Sequence, residues 1–209
     1  MKFRKYVAVP AVLVILLLAA AAAFFSLDDP GYRAGEFLGF GRYDKYDDII
    51  TSAAARNGVD PLLIKAVIWQ ESRFHAGKQG SRGERGLMQV TEPAAKDWAT
   101  ARDVETFVPE DLLDPGTNIE VGTWYLARAL RHWASQKDPL PFALGEYNAG
   151  RRHVKRWTGD AQMTADELRE AMDFPGTKAY VAAVQKRFDY YKRHEAQDQS
   201  RADVKISPP

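Results

Sequence analysis

The chain has 209 residues, room for one domain of ordinary size plus an extra segment. Hydrophobic residues make up 45% and charged residues 27%, the balance of a folded globular protein rather than a disordered one. A net charge of +1 gives a nucleic-acid partner no electrostatic support, and the lack of cysteine excludes disulfides, thiolate metal sites, a cysteine nucleophile and a lipidated N-terminal cysteine.

Lys2, Arg4 and Lys5 precede VAVPAVLVILLLAAAAAFF, residues 7–25, which carry no charge. A helix of about 20 residues crosses a bilayer core of roughly 30 Å. The stretch therefore reads as a signal anchor, its basic flank cytoplasmic and everything after Phe25 outside the cytoplasm. A cleaved signal peptide is the alternative, with the alanine run at 19–23 offering the cleavage site. Residues 26–43 are glycine-rich and carry turn signals, the pattern of a linker.

From Asp44 to His194 the pattern is helical, and no stretch alternates like a strand, so the fold class is mainly α. Short helices are expected over 45–57, 92–101, 139–148 and 164–172. Asp60-Pro61 is a start signal, an N-cap followed by proline at the first helical position. The residues Ile64, Val67 and Ile68 then share one face. Asp114-Pro115 repeats the signal ahead of Ile119, Leu126, Leu130 and Trp133, and Gly122 on that face leaves room for close approach. A last helix is expected from Thr177, with Tyr180, Val181, Val184, Phe188 and Tyr191 turned inward. The tail 195–209 is polar, ends in Pro-Pro, and is expected to be unordered.

One turn beyond Ile68 the apolar stripe reaches Glu71. A carboxylate there is costly unless it is paired, protonated or at the edge of a cleft. Desolvation raises a carboxyl pKa, which keeps a glutamate protonated as a general acid near neutral pH. Pairing with Arg73 or Arg85 is the plainer alternative. GLMQ at 86–89 follows a loop with Gly77, Gly80 and Gly83, and EYNAG at 146–150 ends an apolar helix, with Gly150 as a C-terminal cap. His75, His132, His153 and His194 show no metal-ligand spacing, and the aspartates form no calcium loop.

ESRF at 71–74, GLMQ at 86–89, NIEVGTWYL at 118–126, YNAG at 147–150 and TKAYVAAV at 177–184 occur in that order. Together they resemble the catalytic domain of the soluble-lytic-transglycosylase (SLT) type, a branch of the lysozyme-like enzymes, over about residues 45–194. The resemblance implies a lysozyme-like helical domain with a catalytic cleft. It implies Glu71 as the single catalytic residue, with Ser72, Met88, Gln89, Tyr147, Asn148 and Tyr180 as substrate-binding residues. Two positions depart from the pattern: Gly176 stands where the last motif usually has glutamate, and Glu84 stands where a small residue is commoner. Glu84 reads as a solvated loop charge or a partner of Arg85, with a second cleft carboxylate as the alternative, one that would favour hydrolysis.

The activity so implied is lytic cleavage of peptidoglycan glycan strands between N-acetylmuramic acid and N-acetylglucosamine, leaving 1,6-anhydromuramyl ends, with no metal and no cofactor. Most glycosidases use two carboxylates, and substrate-assisted chemistry is the recognised exception. Two alternatives stand beside it. One is a goose-type lysozyme-like muramidase, a hydrolase on the same fold; the other is a non-catalytic peptidoglycan-binding module.

Overall fold

Capping chemistry sets where the helices begin. The structure is a computed structural model that describes residues 4–25, 30, 34–35, 38, 41–159 and 161–206, with side chains over 12–22, 30, 34–35, 38, 41–159 and 161–197. It divides into two units, Met1–Tyr43 and Asp44–Pro209. The first contains helix α1, Arg4–Phe25, on which Val12 to Leu18 leave 54–68% of their surface exposed. Among the described residues no helix is long and apolar enough to cross a membrane, so the span expected over 7–25 is not established. The side chains at both ends of that run, and most of the linker expected over 26–43, lie outside the described residues.

In the second unit α2 runs Asp47–Asn57 and closes on Gly58, whose φ of 67° is one that glycine adopts without strain. Helix α3, Pro61–Ser72, starts where Asp60 accepts a hydrogen bond from Leu62 N–H. Helix α4 is Glu92–Ala101, and a 3-10 turn at Pro109–Leu113 follows. Helix α5, Pro115–His132, starts where Asp114 accepts from Thr117 N–H. Then come α6, Leu140–Ala149, α7, Arg151–Thr158, α8, Ala165–Ala171, with a Thr164–Glu167 capping box, and α9, Pro175–Ile206.

Helix α3 packs along α2 and α9; α9 also packs along α6; α6 meets α5, α7 and α8. Ile64, Val67 and Ile68 of α3, Ile119 and Leu126 of α5, and Phe142 and Leu144 of α6 are fully buried, each contributing about 1.5–3 kcal/mol by leaving water. Among the described residues extended pairing is confined to two isolated bridges, Gln79–Arg85 and Arg85–Val90.

Three expectations need correction. Neither the 3-10 turn nor α7 was expected; in α7 the buried residues are Val154, Trp157 and Thr158, too few apolar positions to set a period. On α9 the inward position taken for Phe188 belongs to Arg187, which is fully buried. Its guanidinium lies 3.6 Å from the Trp69 ring centroid and donates to the Tyr191 hydroxyl at 3.0 Å, so aromatic faces replace water around the charge. Finally, α9 does not stop at His194. Residues 195–206, expected to be unordered, continue the helix to Ile206, because no glycine or proline interrupts them before Pro208.

Candidate active site

Glu71 sits one residue from the end of α3, half-buried. Immediately after Ser72 the chain passes through two left-handed non-glycine residues, Arg73 at φ 52° and Phe74 at φ 62°, an uncommon and strained sequence of conformations. The Phe74 side chain is 2% exposed and anchors the turn, while Arg73 N–H closes on Trp69 C=O at 3.1 Å. The turn ends the helix just past Glu71 and leaves its carboxylate facing a cleft. Neither Arg73 nor Arg85 is its partner: the Arg73 guanidinium donates to the Trp69 carbonyl, and Arg85 approaches Glu110 at 3.7 Å.

The loop 77–91 is held against α5 by Asn118, which is fully buried. Asn118 Oδ1 accepts from Met88 N–H, and its Nδ2 donates to the carbonyls of Arg85 and Leu112, each at 2.8 Å. This approach requires glycine at 86: φ is 77°, and a Cβ would lie 2.2 Å from Asn118 Nδ2. Asn118 lies inside NIEVGTWYL, yet its role was missed, because a lone asparagine on a helix gives no signal of the loop it will meet.

The cleft has two chambers, of about 390 and 670 Å³. Glu71, Glu84, Gln89 and Tyr147 line the smaller; Gln70, His153, Thr177 and Tyr180 line the larger; Arg82 and Asn148 line both. Of the residues assigned by resemblance, Glu71, Gln89, Tyr147, Asn148 and Tyr180 are thus brought together. Two are not. Met88 is fully buried beneath Gly122, where a Cβ would lie 2.7 Å from its own; only its carbonyl serves the cleft wall, accepting from the Tyr147 hydroxyl at 2.9 Å. Ser72 is 2% exposed, and its hydroxyl donates back to Ile68 C=O at 3.2 Å. The resemblance implied both as cleft residues, but here both side chains are buried. No tryptophan lines either chamber.

Burial pushes the Glu71 carboxyl up to about 7, and the Glu84 charge adds to the rise; the Tyr180 hydroxyl, Lys78 and Arg82 pull the other way. Lys78 also donates to the Glu71 backbone carbonyl. The Tyr180 hydroxyl is buried and makes no hydrogen bond of ordinary geometry among the described residues, although it lies close enough to Glu71 for the two to influence each other's proton. Burial, and then the Glu71 charge, hold the Tyr147 hydroxyl well above its usual range.

Glu84 lines the smaller chamber, so the alternative of a second cleft carboxylate holds over a solvated loop charge or an Arg85 partner. Its partner is Arg82, whose backbone N–H donates at 2.9 Å and whose Nε donates at 3.0 Å. Partial burial raises its carboxyl, but backbone N–H groups and the Arg82 guanidinium outweigh that and hold it below the ordinary range. A third carboxylate, Glu146, went unnoticed one residue before Tyr147. It is 1% exposed and faces away from the cleft, accepting from Trp133 Nε1 at 2.8 Å and pairing with His132 Nδ1 at 2.7 Å. Among the described residues no group of three or more His, Asp or Glu side chains gathers to hold a metal ion.

A mainly helical frame thus places one carboxyl, raised to about 7, in the wall of a cleft. Residues 48–169 match the family model described as the transglycosylase SLT domain, and the chain belongs to that family. It is 35% identical over 130 residues to membrane-bound lytic murein transglycosylase F of Desulfosudis oleivorans, covering 61% of this chain and 26% of that protein. It is 29% identical over 152 residues to the soluble lytic murein transglycosylase of Salmonella typhimurium, covering 71% and 23%. The fold is similar to that of the 70 kDa soluble lytic transglycosylase of Escherichia coli, with a TM-score of 0.66 and 27% identity over 72% of this chain and 24% of that one. The chain thus spans about a quarter of the length of these two curated relatives.

Proposed function

We propose that this domain is a peptidoglycan lytic transglycosylase in which Glu71 acts first as acid and then as base. The observation that carries the reading is the half-buried Glu71 carboxyl, raised to about 7 and facing a cleft lined by Tyr147, Asn148 and Tyr180. Protonated Glu71 donates to the glycosidic oxygen as that oxygen leaves C1 of the N-acetylmuramyl unit. The acetamido oxygen of the same sugar bonds to C1 in its place. The C6 hydroxyl oxygen then bonds to C1 and displaces the acetamido oxygen, and its proton passes to the Glu71 carboxylate. The product is a 1,6-anhydro end, and the acid is regenerated. Both nucleophiles belong to one sugar, which gives each step an intramolecular advantage. The reaction uses no cofactor and no metal.

Glu84 favours the muramidase reading, since a second carboxylate in the same chamber is what a water-activating base requires. Its engagement by Arg82 and its lowered proton affinity make it a poor base, which favours the transglycosylase. Replacing Glu71 by Gln is the test. Clearing of purified cell walls should fall roughly 10³-fold, with the variant still sedimenting with walls. Retention of more than a few per cent of the activity would give the acid role to another residue.

An inner-membrane anchor over residues 7–25, with the enzyme in the periplasm, belongs to the same reading. Its support is the 22-residue α1, about 33 Å long at 1.5 Å per residue, with exposed apolar side chains from Val12 to Leu18. The protein should fractionate with the inner membrane; a mature N-terminus near Phe24 or Ser26 would identify a cleaved signal peptide instead.

A further inference from the structure

Thr177 lies in the first turn of α9 and is 4% exposed. Its hydroxyl donates to Asn148 Oδ1 at 2.7 Å. A hydroxyl has a single proton to donate, and this bond uses it. Asn148 lines both chambers. An amide side chain presents an acceptor on one edge and two donors on the other, and a half-turn of the amide exchanges them. With Oδ1 held by Thr177, the edge left for the cleft is the Nδ2 edge. At the preceding position, Gly176, a Cβ would meet nothing within 4 Å.

From this geometry we infer that Thr177 is a positioning residue, which fixes Asn148 as a hydrogen-bond donor toward an oxygen of the bound sugar. The inference rests on the transglycosylase reading and takes Asn148, which the resemblance implies as substrate-binding, to contact the muramyl unit. Gln89, in the smaller chamber, is fixed in the opposite sense. Its Nε2 donates to Lys78 C=O at 3.1 Å and to Gly86 C=O at 2.9 Å, which leaves Oε1 as the group it can offer. The protein therefore assigns one amide as donor and the other as acceptor before substrate arrives. A donor held in place at the reacting sugar costs no reorganisation as charge develops, and that advantage appears in kcat rather than in KM.

The test compares Thr177→Val, which keeps shape and β-branching without the hydroxyl, with Thr177→Ser, which keeps the hydroxyl. Turnover of purified glycan strands is measured, with thermal unfolding as a check on the fold. Thr177→Val should lower kcat roughly five- to tenfold with KM nearly unchanged, and Thr177→Ser should restore most of the loss. In an Asn148→Ala background Thr177→Val should cost nothing further, because the group it orients is gone. Full kcat in Thr177→Val, an undiminished loss in the Asn148→Ala background, or failure of serine to restore activity would overturn the positioning role. The Glu71→Gln variant keeps the two ideas separate. If that variant is dead while Thr177→Val is unimpaired, only the positioning role falls; if Glu71→Gln is active, the reaction itself has been misread.

Discussion

Two carboxylates line the smaller chamber, and their surroundings push them in opposite directions. Glu71 stands at the end of a packed helix, where loss of water dominates and its carboxyl rises to about 7. Glu84 belongs to a loop that turns its own backbone N–H groups and the Arg82 guanidinium onto the carboxylate, and its carboxyl falls. One residue type in one cavity is thereby divided into a carboxyl that keeps its proton to near neutral pH and a fixed negative charge. Identity and proximity do not assign the acid; hydration and hydrogen bonding do.

The largest way to break that comparison is to remove each carboxyl's ability to ionise and follow stability against pH. A folded-state value raised above the unfolded one makes a contribution that is complete below about pH 4.5 and lost as pH rises through about 7. Glu71→Gln should therefore gain stability over the parent between those limits, by about 3 kcal/mol at most, and match it at low pH. Glu84→Gln should behave in the opposite sense: the lowered value means that its stabilisation is present above the unfolded pKa and lost as pH falls. Chemical denaturation at several pH values reads both.

A smaller effect sharpens the same contrast. The Glu84 charge raises Glu71 and the Tyr180 hydroxyl lowers it. Glu84→Gln should keep activity within roughly threefold and move the alkaline limb of the rate profile to lower pH. Tyr180→Phe should move that limb to higher pH. Shifts of equal sign in the two variants would show that the limb does not report Glu71.

The helical frame was legible because its starts carry local chemistry. Asp60-Pro61 and Asp114-Pro115 announce α3 and α5, and α4 falls on the expected 92–101. Glu71 stands out in the sequence as a carboxylate on an apolar stripe, and the fold puts it half-buried at the cleft; its catalytic role is implied by the motif resemblance. What escaped depends on contacts between distant segments. Met88 was assigned to the cleft, but only the fold reveals that Gly122 opens a socket for it. Arg187 reads as surface until Trp69, Tyr190 and Tyr191 are seen to surround it. The Arg73–Phe74 turn, which stops α3 beside Glu71, uses residues that rarely adopt a positive φ, so no residue pattern announces it. Glu84 and Arg82 are two positions apart, and their pairing follows from a loop shape that Gly83 permits at φ 83°.

The central claim is that a single acid and the substrate's own hydroxyl complete the reaction, with Glu84 held out of the chemistry by Arg82. Mass spectrometry of the fragments released from purified cell walls tests it most directly. Each cut should yield a muramyl end lighter by one water than a hydrolytic end, with no reducing muramic acid, and Glu84→Gln should leave that product unchanged. Reducing muramic ends released by the parent enzyme would contradict the account and make Glu84 the first candidate for a base acting on water.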